Sequence, residues 1–150
     1  MTIRTSADII ERRIVEQEHQ RLRTGLANLE EAILSAHRQT QSEAMGAVVR
    51  ALHWLRRDVL PHAAWEEAWL YSHVDSGAGT PWATRALRFQ HEQIREVATA
   101  LENEFQLAHE HWTGEQSLRL VVALTRLETL LAAHLAQEER MVVPLLGSSD

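Results

Sequence analysis

The sequence contains no cysteine. Disulfides, thiolate metal sites, iron–sulfur clusters and cysteine nucleophiles are excluded together. It also lacks an excess of basic charge. The formal net charge is −6, the wrong sign for a surface that grips nucleic acid or anionic lipid. A third absence is a long apolar run. The N-terminal "MTIRTSADIIERRIVEQEHQ" interleaves charge with isoleucine, and no stretch has the length and continuity of a signal peptide core or a membrane span. The expectation is a cytoplasmic chain with no nucleic-acid and no membrane partner. Period-2 alternation is not sustained anywhere, which argues against a sheet.

What is present is a chain of 150 residues, 45% apolar and 24% charged. That is enough to build one domain, residues 1–150, around one core. Apolar residues recur at helical spacing in four segments, about 6–37, 41–74, 81–109 and 115–143. Thr40 with Glu43, and Thr113 with Gln116, have the spacing of capping boxes. Thr80 followed by Pro81 reads as the N-cap and first residue of the third helix, and Gly147 lies near the end of the fourth. Pro61 falls inside the second helix and should loosen or kink it beside His62.

The buried stripes alternate steps of three and four. They run Val15, His19, Leu22, Leu26, Leu29, Ile33; then Val48, Leu52, Leu55, Val59, His62, Glu66, Trp69. The third is Leu87, His91, Ile94, Ala98, Leu101, Phe105, and the fourth Leu120, Leu124, Leu127, Leu131, His134, Glu138, Met141. This is the seam of an all-α, antiparallel, up-down-up-down four-helix bundle. Each seam carries one histidine, and two carry a glutamate.

The polar residues follow an internal repeat. His62 follows His19 by 43 residues, and His134 follows His91 by 43. A shift of 72 maps His19, His62 and Glu66 onto His91, His134 and Glu138, and aligns Glu67 with Glu139. The chain therefore reads as two copies of a helical hairpin. Counted from turns near 39 and 112, the four histidines stand at equal height, ~30 Å along the helices, toward the end closed by "DSGAGTP".

A single histidine on an apolar face is ordinarily a hydrogen-bonded core residue. Two buried glutamates demand cations, because an unpaired carboxylate in a dry interior costs several kcal/mol. No lysine or arginine occupies the seams, so metal is the economical partner. Four imidazoles and two carboxylates are too many for one tetrahedral zinc. They suit two metal ions, each taking two histidines, with Glu66 and Glu138 bridging. Imidazole plus carboxylate favours iron, in an oxo- or hydroxo-bridged pair, with manganese or zinc as alternatives. "HWTGE" repeats the His-x-x-x-Glu spacing at His111 and Glu115, but falls in an expected loop and reads as chance.

These residues resemble the hemerythrin-like (HHE cation-binding) family. "EHQRLR", "HAAWEEAWLY", "QHEQIR" and "HLAQEERMVVPLL" are similar to its succession of His, His-x-x-x-Glu, His, His-x-x-x-Glu. The resemblance covers essentially the whole chain. It implies a four-helix bundle around a non-haem di-iron site, with His19, His62, Glu66, His91, His134 and Glu138 as ligands. The oxygen carriers of the family add a fifth histidine, which would fall at Arg95. The four-histidine, two-glutamate set is closer to the repair and sensor branches. A ferritin-like site would need two Glu-x-x-His motifs, and only Glu16–His19 has that spacing.

The functional expectation is a protein that binds or senses dioxygen, nitric oxide or peroxide at the di-iron centre. Alternatives are a peroxidase-, catalase- or oxidase-like enzyme, an iron donor for damaged iron centres, or an interaction module whose metal is structural, zinc being a candidate. Around the site, Arg23 and Arg95 either pair with carboxylates or reach solvent along their stems, the second being the expectation. Glu67 and Glu139 suit solvent or outer-sphere roles. Trp65 and Trp69 read as packing, with water exclusion as the functional version. Tyr71 is a candidate oxidisable or hydrogen-bonding neighbour that nothing requires. His73 guards the near end of the bundle or simply suits a helix C-terminus. His37, His53 and His109 are surface residues.

Overall fold

Helical spacing in the sequence becomes helix along nearly all of the described chain. A computed structural model describes residues 6–36 and 40–146, and no strand occurs among them. Helix α1 is Ser6–Ala36, α3 is Arg85–Glu110 and α4 is Gly114–Met141, followed by a 3-10 turn, Val143–Leu145. Between α1 and α3 runs α2, residues 41–78, an α-helix interrupted by two wider π-helical turns at Leu55–Val59 and Glu66–Leu70. His37 and Gly147 lie outside the described residues.

The ends follow from local chemistry. At the start of α2 the Thr40 and Glu43 capping box forms, with the Thr40 N–H donating to Glu43 Oε2 at 2.8 Å. At the start of α4 the Gln116 N–H donates to Thr113 Oγ1 at 3.1 Å, whereas Gln116 Oε1 finds no partner, so only half of that box is made. The third helix does not begin at Thr80–Pro81. Gly79 ends α2 in the left-handed region, with φ 67°. The Asp75 carboxylate then accepts from the N–H and hydroxyl of buried Thr84, at 2.9 and 3.0 Å. That clasp holds 79–84 as a turn and delays α3 to Arg85. "HWTGE" straddles the next turn: His111 closes α3, and Glu115 lies in the first turn of α4.

Pro61 acts on the helix before it. The Leu60 N–H donates to Leu55 O, five residues back rather than four. The wider turn falls where the proline ring would otherwise crowd the carbonyl four residues earlier. A close approach elsewhere needs glycine: a Cβ on Gly25 would overlap the Trp54 indole, so the α1 backbone passes directly beneath that ring.

The buried residues form two apolar clusters. The larger holds Leu22, Leu29, Val48, Leu52, Leu55, Val59, Ile94, Leu101, Leu120, Leu124, Leu127, Leu131 and Leu135, with buried alanines among them. The other holds Val15, Leu70, Tyr71, Val74, Leu87, Val142 and Leu146. On α1, α2 and α3 the stretch between the two clusters carries the polar residues, His19, His62 with Glu66, and His91; on α4 His134 and Glu138 flank Leu135, the last member of the larger cluster. All six are buried.

Two stripe residues are misplaced by the sequence pattern. Trp69 is 70% exposed and Met141 43% exposed. They are repeat-equivalent, each three residues past a cluster glutamate. The chain instead buries the residue four past it, Leu70 and Val142. A step of three and a step of four fall on opposite sides of a helix face, and here the second cluster lies on the four-step side.

Candidate metal centre

All six histidine and glutamate residues expected at one level meet there. Two sets of donor atoms lie close enough to hold a metal ion: His19, His62, Glu66 and Glu138 in one, and Glu66, His91 and His134 in the other. Glu66 belongs to both. Its Oε1 lies 2.6 Å from His62 Nε2 and 3.4 Å from His19 Nε2. Its Oε2 lies 3.2 Å from His91 Nε2 and 3.8 Å from His134 Nε2. Glu138 Oε2 adds contacts of 3.1 Å to His19 Nε2 and 3.5 Å to His134 Nε2.

Several of these atoms converge without satisfying one another, although His19 Nε2 meets Glu66 Oε1 at 3.4 Å and the Nε2 atoms of His91 and His134 face each other at 3.1 Å. Despite its 2.6 Å neighbour, His62 Nε2 lacks hydrogen-bond alignment, and Glu66 Oε2 and both Glu138 oxygens are likewise buried without a hydrogen-bond partner. Buried polar groups are rarely left so. Donors aimed at a common centre rather than at each other are what a cation requires, and imidazole with carboxylate fits one of borderline hardness.

Electrostatics point the same way. Burial alone would raise the Glu66 carboxyl, yet the surrounding imidazoles of His134, His19, His62 and His91 hold it well below the usual carboxylate range. Burial also opposes a charged His19, but the Glu138 and Glu66 carboxylates outweigh it and push His19 up to about 10. The cluster concentrates negative charge that positive charge must answer.

The far ring nitrogens are held in a repeat-related arrangement. His91 Nδ1–H donates to Glu67 Oε1 at 2.9 Å, and Arg95 donates to the same oxygen at 3.0 Å. In the other half, His19 Nδ1 faces Glu139 Oε1 at 3.4 Å, and Arg23 pairs with Glu139 Oε2. A carboxylate behind an imidazole fixes its tautomer and turns Nε2 with its lone pair inward. Arg23 and Arg95 do reach the surface, as expected, but their heads end on these carboxylates. Glu67 and Glu139 sit behind histidine rings of the cluster. His134 Nδ1–H donates to Gln90 Oε1 at 3.1 Å, and Gln90 Nε2 donates to Gln137 Oε1 at 2.7 Å.

The family model of the hemerythrin HHE cation binding domain matches residues 11–146. The chain belongs to the hemerythrin HHE family. No curated protein and no solved structure matches it. Membership of a hemerythrin HHE cation-binding family agrees with the two donor sets. No described helix is long and apolar enough to cross a membrane.

Beside this hemerythrin-type cluster the sequence left one residue undervalued. Tyr71 is fully buried, its ring stacked on His91 with centroids 5.4 Å apart and its hydroxyl 3.4 Å from His91 Nε2. On an uninterrupted α-helix Tyr71 would point roughly 140° from Glu66. The π-turn over Glu66–Leu70, closed by Tyr71 N–H to Glu66 O, takes up one more residue and brings it back to that face. Trp65 stacks near His62, at 6.3 Å between centroids. Trp69, largely in solvent, excludes no water from the cluster. His73, His53 and His109 are exposed and belong to neither donor set. Gln90 and Gln137 carried no spacing signal, whereas the 72-residue repeat aligned Arg23 with Arg95 and Glu67 with Glu139.

Proposed function

We propose that the chain is a non-haem di-iron protein that binds or senses a small ligand such as dioxygen, nitric oxide or peroxide. The carrying observation is the central place of Glu66, one oxygen toward the His19–His62 pair and the other toward the His91–His134 pair. In this reading each histidine pair would hold one ion, Glu66 would be shared between them, and Glu138 would stand with the His19–His62 ion. Four imidazoles with two carboxylates exceed what one tetrahedral zinc takes and fit a pair of iron ions. A reduced iron pair supplies electrons that a small ligand can share.

The chain's own contribution is to fix and dry the site. Glu67, Glu139 and Gln90 hold the imidazoles from behind, and apolar clusters close it on either side. These outer groups orient ligands rather than move substrate protons, which supports binding or sensing over turnover. The helices are read as one antiparallel, up-down-up-down domain. Short connections at 79–84 and 111–113 support this.

The test is metal content and visible absorption of protein loaded with iron(II) and exposed to air. Two irons per chain with visible charge-transfer bands, lost in His62→Ala, agree with the proposal. One metal per chain, or iron retained in that variant, would overturn it.

A further inference from the structure

The two repeats are not equivalent around the cluster, and the difference falls on one side. The set of His19, His62, Glu66 and Glu138 offers four protein donors, while that of Glu66, His91 and His134 offers three. The position with fewer protein donors keeps more room for an outside ligand. At that same position stands Tyr71, whose repeat-equivalent is Val143. The phenol is therefore a feature of one half only.

Tyr71 is also held in place. Its ring stacks on the His91 imidazole, and the Arg88 guanidinium lies over it, 5.3 Å from the ring centre. Arg88 is anchored in turn to Glu67 O at 3.2 Å and faces Asp75 at 3.5 Å. The hydroxyl contacts His91 Nε2 at 3.4 Å and also faces the Glu138 carboxylate. Once that nitrogen gives its lone pair to a metal it no longer accepts, and a Glu138 carboxylate drawn toward metal accepts less strongly, so the buried O–H gains from a further acceptor. A fully buried hydroxyl without an acceptor is costly.

We propose that the Tyr71 hydroxyl is the hydrogen-bond donor to a small anionic or dioxygen-type ligand taken at the position held by His91 and His134. This rests on the di-iron reading above. It assigns the two positions different work: the four-donor position holds the centre together, and the three-donor position receives the ligand. Tyr71 neither titrates nor ligates in this role. It lends a proton that it keeps.

Iron-loaded wild type and Tyr71→Phe, with azide as the probe, separate the claims. Iron is counted first. Wild type with fewer than two irons per chain sinks the di-iron reading, and this inference with it, before azide is added. With two irons in both proteins, an absorption titration should show the Phe variant binding azide ~10-fold or more weakly, as loss of a bond to a charged acceptor implies. The antisymmetric stretch of bound azide should shift in D2O for wild type and not for the variant, a change that mere packing would not produce. Equal affinity with equal isotope response overturns the proposal. So does loss of iron from the variant, or a tyrosinate-to-iron absorption band in wild type, either of which would make Tyr71 a metal ligand.

Discussion

Glu67 accepts a 2.9 Å hydrogen bond from Nδ1 of His91, although the two are 24 residues apart and Glu67 points away from the cluster. The carboxylate is held below its usual range: burial works against this, and Arg95 and His91 outweigh it. Replacing it with glutamine keeps the shape and removes the charge that makes the imidazole a better donor to metal. Glu67→Gln should weaken metal binding by about 10- to 100-fold, read by competition with a chelator. Unchanged affinity would mean that the contact only fastens the surface.

The two cluster glutamates should not behave alike. Glu66 belongs to both donor sets, Glu138 to the four-donor set. Glu66→Ala should therefore empty both positions, while Glu138→Ala should keep metal at the His91–His134 position. Elemental analysis of the two purified variants decides this. Equal retention in both would contradict the central place given to Glu66.

Metal-free protein should lose stability with rising pH. His19 is lifted from 6.5 to about 10, burial opposing and the Glu138 and Glu66 carboxylates prevailing. A raised folded value gives stabilisation that is complete below about 6.5 and lost as the pH rises through about 10. Glu66, depressed by its imidazole neighbours against the effect of burial, loses its contribution at the acid end instead. Urea midpoints of the metal-free protein should fall between pH 6.5 and 10. A flat profile across that window would disprove the linkage.

The register past Glu66 gives a test free of metal. Leu70 is 1% exposed and Trp69 70% exposed. Leu70→Ala should cost about 2–5 kcal/mol as a core truncation. Trp69→Ala should stay within about 0.5 kcal/mol, as surface changes do. Reversed costs, measured by denaturant unfolding, would restore the stripe expected from spacing.

Much of this was legible in the residues. The four histidines and two glutamates could be aligned from one repeat shift, because steps of three and four keep a helix face in view over many turns. The same rule failed at Trp69 and Met141, since a single step does not say on which side of the face a neighbour lies. It failed more fully at Tyr71. A π-turn has no period that the eye can follow, and only Pro61, beside the earlier wide turn, hinted that α2 was irregular. The start of α3 was misread because Asp75 acts from the previous helix, out of reach of any local cap signal. The Gln90–Gln137 pair joins residues 47 apart on consecutive helices, a meeting that only the packed fold reveals.

The polar layer divides the interior into a large apolar cluster and a small one. A core cut across by charged groups does not open evenly. The smaller cluster, formed around Val15, Leu70, Val74, Leu87 and Val142, is joined to the rest through a polar layer in which several buried donors and acceptors lack partners until an ion sits among them. Local opening with a small free energy belongs to such a cap. Metal exchange should then keep time with breathing at the 79–84 end, and the amides there should trade their hydrogens for deuterium well before those of the opposite end.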